Sequence, residues 1–570
     1  MTAMQRHCLE SPMHELHREQ RESRPWPASQ SASSSLTWIF LVALAVPWLN
    51  PAAGGPSAVV QPWLIAAAVT VLSWHFVAPE VTRRQLGFTL LVAALLAGAG
   101  EAAPPVLLAI GGLIVIAISA AVAASPSTRR WVVTAIVNAW LLAALVSSVF
   151  ALVQYFGLAA HLAPWVNSTE PGEAFANLRQ RNQFATLTSI GLAAVSWRVQ
   201  QGGRLAWAVP AAALLAAANA ASASRTGAVQ IALLVLIAVW WIRTSRRGTG
   251  AICIAAVVAY TLAAALLPLA LHQLSGVTAP NAFGRLVAAD GCASRAVLWS
   301  NVLHLIAQKP WWGWGWGELD YAHFAALYPG ARFCDILDNA HNLPLHLAVE
   351  LGIPVAAVTC LVFAGWLVRQ RPWREPDATR QLAWCVIAVI LLHSLLEYPL
   401  WYGPFQMAFG CSLGLLATGR NDSLALIGPL ARGALSAALV AALLYAGLDY
   451  HRVSQLYTAP EQRSALYNDR PLPRVGDSWL FRDQLAFAEL STTPLTRENA
   501  AKVHALAMEL LHYSPEPRVI DAAIESAMWI GREDQALWLL ARLRAAFPQE
   551  ASSRARATAT PAASDPGVRH

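Results

Sequence analysis

About thirteen stretches of this chain are apolar over the length a helix needs to cross a bilayer, and that succession constrains the fold more than any other feature. A spanning helix takes about 20 mostly apolar residues. Candidate spans centre at 36–53, 58–78, 86–100, 105–124, 131–156, 184–198, 205–222, 227–242, 251–271, 343–368, 381–400, 403–418 and 433–448. Those at 86–100, 184–198, 227–242 and 403–418 are short. Only 13 % of the 570 residues are charged, against about 25 % in a soluble domain. That is too little to wet the surface of a soluble protein of this size. The expected fold class is all-α: a polytopic helical membrane bundle of about 12–13 spans. The net charge of +7 then reports loop topology and not affinity for nucleic acid.

Arginine distribution orients the spans, because short cytoplasmic loops collect basic residues. Alternate loops carry Arg83 and Arg84, Arg129 and Arg130, Arg198 and Arg204, Arg243 with Arg246 and Arg247, Arg369 to Arg380, and Arg420 with Arg432. The N-terminus is therefore expected in the cytoplasm and, after an odd number of spans, the C-terminus outside. Residues 1–35 read as a disordered cytoplasmic tail rather than a cleaved signal peptide. Residues 36–448 form the membrane domain, with a large outside loop at 272–342 whose length points to function. Residues 449–550 read as a small helical outside domain, with 3–4 apolar spacing in Thr496–Tyr513, Pro517–Ile530 and Glu533–Phe547. Residues 551–570 read as a disordered tail.

Several polar residues break this pattern. Arg179 and Arg181 in FANLRQRNQFA, and Arg225 in ASASRTGA, lie on the side where the orientation rule disfavours them. Arg295 lies in the large loop, in GCASRAVLW. Each offers a planar fork of donors suited to phosphate oxygens; pairing with lipid headgroups or loop carboxylates is the plainer alternative. The segment CDILDNAHNLPLHLAVELG ends the loop and gathers Asp335, Asp338, Asn339, His341 and Asn342. Asn342 can cap the next helix, with Pro344 in its first turn. His341 then sits at the positive end of a helix, where a neutral imidazole able to accept a hydroxyl proton is favoured. His346 and Glu350, and His393 and Glu397, are each four residues apart and share a helix face; a direct role and simple locking of helices both fit. The run PWWGWGWGELD fits sugar stacking or an interfacial aromatic belt equally well. Cys292 and Cys334 are the two outside cysteines, and an oxidising compartment favours a disulfide between them over two free thiols. Asp335, Asp338 and His341 give only a weak metal signal, and no nucleotide-binding glycine motif occurs.

RQRNQFA, SRTGAVQ, SRAVLW, WGWGWGELD and LDNAHNLPLHLAVELG together resemble the O-antigen ligase superfamily of bacterial membrane glycosyltransferases, over about residues 170–420. Within it the chain looks most like the O-linked oligosaccharyltransferases that glycosylate pilins and other periplasmic proteins. The resemblance implies a multi-pass protein of the bacterial inner membrane with its site facing the periplasm. It implies transfer of a glycan from undecaprenyl pyrophosphate to a Ser/Thr hydroxyl of a protein acceptor, with no metal, nucleotide or other cofactor. His341 takes the place of the family's essential loop histidine. Arg181, Arg225 and Arg295, with Arg179 as a weaker neighbour, take the place of its phosphate-binding arginines, and Asp338, Asn342, Glu350 and Glu397 support them. An O-antigen ligase acting on lipid A-core, an O-antigen polymerase, and a flippase for lipid-linked sugars are the alternatives. The helical outside appendage favours the protein acceptor.

Overall fold

The computed structural model describes residues 34–550 except 53, 78–80, 83–86, 88, 93, 95–102, 125–128, 242–247, 280–290, 418–422, 425–427 and 470. The expected tails at 1–33 and 551–570 and most of the third candidate span at 86–100 lie outside the described residues, as do Arg83, Arg84, Arg243, Arg246, Arg247 and Arg420. The bundle helices are α1 (Ser34–Leu49), α2 (Val60–Phe76), α3 (Ala103–Ala124), α4 (Arg129–Tyr155), α5 (Arg181–Gln200), α6 (Leu205–Ala221), α7 (Arg225–Trp240) and α8 (Gly248–Ser275). The large loop contributes α9 (Arg295–Gln308) and α10 (Leu319–Ala325), followed by α11 (Leu343–Leu351). The bundle resumes with α12 (Ile353–Gln370), α13 (Ala378–Ser394), α14 (Gly403–Ala417) and α15 (Pro429–Ser454). A two-residue antiparallel pairing joins Val81–Thr82 to Ser423–Leu424. Five described segments are long and apolar enough to cross a membrane: Val106–Ala124, Arg130–Tyr155, Gly248–Ser275, Ile353–Arg374 and Pro429–Tyr457. The protein is an all-helical, multi-pass membrane protein.

The short, polar candidate span at 184–198 turns out to be the hub. It lies in α5, which packs against α4, α6, α7, α8 and α13 and buries residues on every face. A helix that meets no lipid does not have to be apolar; its polar groups need only partners. Gln230 Nε2 donates to Thr186 Oγ1 at 2.8 Å and to Val389 O at 2.9 Å, and Asn219 Nδ2 donates to Ala185 O at 3.0 Å. By contrast only 6 % of the apolar window at Ile353–Arg374 is buried inside the protein. Helices α3 and α14 form another close seam. Gly410 and Gly414 are four apart on α14, and a Cβ there would lie 2.4 Å from Ile116 O and 2.1 Å from Ala120 O. Only glycine permits that approach, the small-xxx-small packing of membrane helices.

The tenth candidate span, 343–368, is broken. Helix α11 ends at Leu351, Gly352 takes φ +87°, and a new helix starts at Ile353. Helix α11 packs on α9 of the loop, and the spanning segment begins after the break. Apart from Glu350 the residues on both sides of the break are apolar, which hides it from a hydropathy reading.

The C-terminal region folds as α16 (Arg482–Thr492), α17 (Ala500–Leu510), α18 (Pro517–Trp529) and α19 (Glu533–Ala546). The last three match the helices read from the sequence, trimmed at their ends; α16 is additional. They pack around Val503, Leu510, Ile520, Ala523 and Leu539, and take in Phe324 of α10. The Tyr321 and His512 rings stack at 3.7 Å, His512 Nδ1 lies 2.7 Å from Glu318 Oε2, and Arg542 Nε donates to Ala325 O. The appendage is therefore fastened to the helix that follows the Trp/Gly run.

Candidate active site

Arg181, Arg225 and Arg295 share one local design. Each is the first residue of a helix, preceded by a residue whose side chain accepts from the backbone N–H three positions beyond that residue. Gln180 accepts from Gln183 N, Ser224 from Gly227 N, and Ser294 from Val297 N. His341 sits one residue before Asn342, which caps α11 by accepting from Leu345 N at 3.1 Å. Arginine side chains thus leave from the positive ends of helix dipoles, a combination suited to anions.

These ends meet at Glu397, just beyond α13. Glu397 Oε1 accepts from Asn182 Nδ2 at 3.1 Å and from Arg295 Nη2 at 2.5 Å. Ser224 Oγ donates to Asn182 Oδ1 at 2.6 Å, which ties the start of α7 to the start of α5. Glu397 Oε2 lies 3.5 Å from His341 Nε2. His341 Nδ1 lies 2.9 Å from Asn339 O; a carbonyl only accepts, so Nδ1 carries the hydrogen. That leaves Nε2 as the acceptor of the neutral ring, pointing toward Glu397. His341 takes φ +52°, and its backbone N–H is held by Asn339 Oδ1 at 2.8 Å. Trp299 Nε1 donates to Ala340 O at 3.1 Å and Asn342 Nδ2 to Leu395 O at 3.2 Å, so α9 and α13 both brace this turn. The Tyr398 ring meets the imidazole edge-on at 5.2 Å.

The other expected residues fall into place around this cluster. Arg181 pairs with Glu173. Arg225 adjoins the cluster through Ser224 and is exposed. Arg179 donates to Pro51 O and Asn167 Oδ1, bracing two loops. Asp338 is open to solvent beside His341 and Glu397. Cys292 and Cys334 form a disulfide with Cα atoms 5.6 Å apart. Asp335 lines a cleft between the loop and the C-terminal helices, together with Asp320, His323 and Phe547. Although His393 and Glu397 are four apart, their side chains diverge: His393 Nδ1 pairs with Thr186 Oγ1 at 2.9 Å inside the bundle.

Glu350 serves the Trp/Gly run instead of the arginines. Trp314 N donates to Val349 O at 2.9 Å, Gly315 N to Glu350 O at 3.0 Å, and Gly317 N to Glu350 Oε2 at 3.0 Å. The run thereby satisfies carbonyls left open at the end of α11. Gly313 takes φ +71°, and a Cβ there would lie 2.3 Å from Glu350 O. The tryptophans divide into two groups. Trp311 and Trp312 are 71 % and 89 % exposed, next to the start of the α12 span. Trp314 carries Lys309 Nζ over its ring at 4.1 Å, and Trp316 packs edge-on against His346. Asn182, Ser224, Asn339 and Tyr398 were given no role from sequence. The repeated cap-then-arginine pattern in QRNQ, SRTG and SRAV was the available signal.

An all-helical membrane protein with a histidine and a helix-terminal arginine meeting at one carboxylate defines a class, and comparison with known proteins narrows it. Residues 210–360 match the O-antigen ligase family, 174–199 the protein glycosylation ligase family, and 381–562 the C-terminal region of virulence factor membrane-bound polymerases. The matches to O-antigen ligase and protein glycosylation ligase support an O-oligosaccharyltransferase of the O-antigen ligase superfamily. It is 26 % identical over 293 residues to a general O-oligosaccharyltransferase of Acinetobacter baylyi, covering 50 % of each chain. It is 26 % identical over 126 residues to a ComP-specific O-oligosaccharyltransferase of the same organism, covering 22 % of this chain and 23 % of that one. The chain thus spans half or less of the curated relatives it matches. No solved structure matches it.

Proposed function

We propose that this protein transfers a glycan from undecaprenyl diphosphate to Ser/Thr hydroxyls of a protein acceptor such as pilin, at the periplasmic face of the inner membrane. One observation carries the reading: His341 Nε2 and Arg295 converge on the same carboxylate, among helix N-termini that begin with arginine. The acceptor hydroxyl oxygen attacks the anomeric carbon of the glycan, and its proton passes to His341 Nε2. The bond from that carbon to the diphosphate oxygen breaks, and the leaving group keeps the electron pair. Arg295, Arg225 and Arg181 neutralise the charge that develops there. The diphosphate already carries the activation of the sugar, so the reaction takes no nucleotide, and metal independence is the expectation.

Purified full-length protein in detergent, given polyprenyl-diphosphate glycan and a pilin peptide, should yield glycopeptide without nucleotide and in the presence of EDTA. Absence of glycopeptide alongside full peptide binding would overturn the protein-acceptor reading. Arg225→Ala and Arg295→Ala should raise KM for the lipid-linked donor more than for the peptide. The match of residues 381–562 to membrane-bound polymerases favours one second reading, a glycan polymerase. Chain growth on lipid-linked glycan without any peptide would select it.

A further inference from the structure

Glu397 takes up the N–H donors of Asn182 and Arg295. Asn182 Nδ2, Arg295 Nη2 and, on the other oxygen, His341 Nε2 all address this one carboxylate, whose side chain is 15 % exposed. Asn182 is itself oriented by Ser224 Oγ at 2.6 Å. Two donors, from the starts of α5 and α9, converge on one carboxylate oxygen, so the arrangement is an anion site that already holds an anion. Arg181 is engaged in the same way by Glu173. A diphosphate entering beside Glu397 would compete for the same two N–H donors and repel the half-buried carboxylate.

We propose that Glu397 is a placeholder for the donor and a counter-charge for His341. In the empty site it neutralises Arg295 and holds Asn182. The donor's diphosphate takes over both contacts, and the released carboxylate stays beside the His341 ring, leaving the Nε2 lone pair to the acceptor hydroxyl. There its charge stabilises the imidazolium that forms when the acceptor hydroxyl gives up its proton. The new glycosidic C–O bond forms as the C–O bond to diphosphate breaks; Glu397 gains no atom and only pairs with the charge. This rests on the function proposed above.

A fixed strut that merely aims Arg295 makes the opposite forecast. Removing its charge would loosen the arginine and weaken diphosphate binding, whereas removing a placeholder tightens it. The test titrates full-length wild type and Glu397→Gln in detergent with inorganic pyrophosphate, then measures transfer with polyprenyl-diphosphate glycan and peptide. The expected result is a split: pyrophosphate Kd falls about fivefold or more while kcat falls about tenfold or more. A Kd that rises with the loss of kcat, or a Kd that does not move, overturns the proposal. A second measurement needs no variant. Water-soluble carbodiimide labelling of wild type, mapped by peptide mass, should rise at Glu397 when pyrophosphate is added; constant or reduced labelling overturns it. If Kd tightens in the variant while wild type transfers no glycan, the placeholder stands and the transferase reading falls. If wild type transfers glycan and Kd weakens, the reverse holds.

Discussion

The protein contains two histidine–glutamate pairs of nearly equal separation with opposite surroundings. His341 Nε2 is 3.5 Å from Glu397 Oε2, and His346 Nε2 is 3.6 Å from Glu350 Oε2. The first pair joins distant parts of the chain, is reached by solvent, and shares its carboxylate with Arg295 and Asn182. The second is local to α11 and sealed; neither ring nitrogen of His346 finds a hydrogen-bond partner among the described residues. Burial holds that imidazole down and that carboxyl up, so both are neutral near pH 7. Its carboxyl is spent on Gly317 N. Residue type and distance therefore do not distinguish chemistry from architecture. Access, and the presence of a third charged group, do.

The largest effect that probes this contrast is His341→Ala. Transfer to peptide should fall about 10²–10⁴-fold, the range for losing a general base, with the melting temperature in detergent unchanged. Glycopeptide mass spectrometry reads it, and an equal loss in His346→Ala would break the contrast. Glu350→Ala should act on architecture, at a cost of about 1–3 kcal/mol for stranding the Gly317 N–H. Hydrogen exchange at 313–319 should then accelerate, and Glu350→Gln should restore it, because the amide oxygen still accepts. The smallest effect concerns His323 of α10. Burial beside Arg332 pushes its ring down from 6.5 to about 3. A depressed value means the unfolded chain takes up the proton first. The stability this residue confers is complete above about pH 6.5 and is lost as pH falls toward 3. Exchange across 319–337 should rise in that window, and His323→Gln should flatten the response.

The sequence reading reached Arg179, Arg181 and Arg225 because they stand on the wrong side of a topology rule, an energetic anomaly visible in one dimension; Arg295 lies in a loop too long for that rule. It reached Asn342 and His341 through capping chemistry, which is local. It did not reach the junction at Glu397, which depends on residues more than a hundred positions apart arriving at one point. It ranked 184–198 among the weakest spans because hydropathy measures fitness for lipid, and α5 meets none. It left the Trp/Gly run undecided because side-chain composition cannot show that glycine backbone, not indole, makes the contact with α11.

The Cys292–Cys334 bond closes a loop of 42 residues, with Arg295 just inside one end and His341 just beyond the other. Closing a loop of that length is worth about 4 kcal/mol through the unfolded chain. In the proposed topology a reducing cytoplasm withholds that restraint and an oxidising exterior grants it. Sidedness is then written into this polypeptide twice, once in its arginines and once in its thiols. In that topology the second inscription would delay completion of the outer half until delivery across the bilayer.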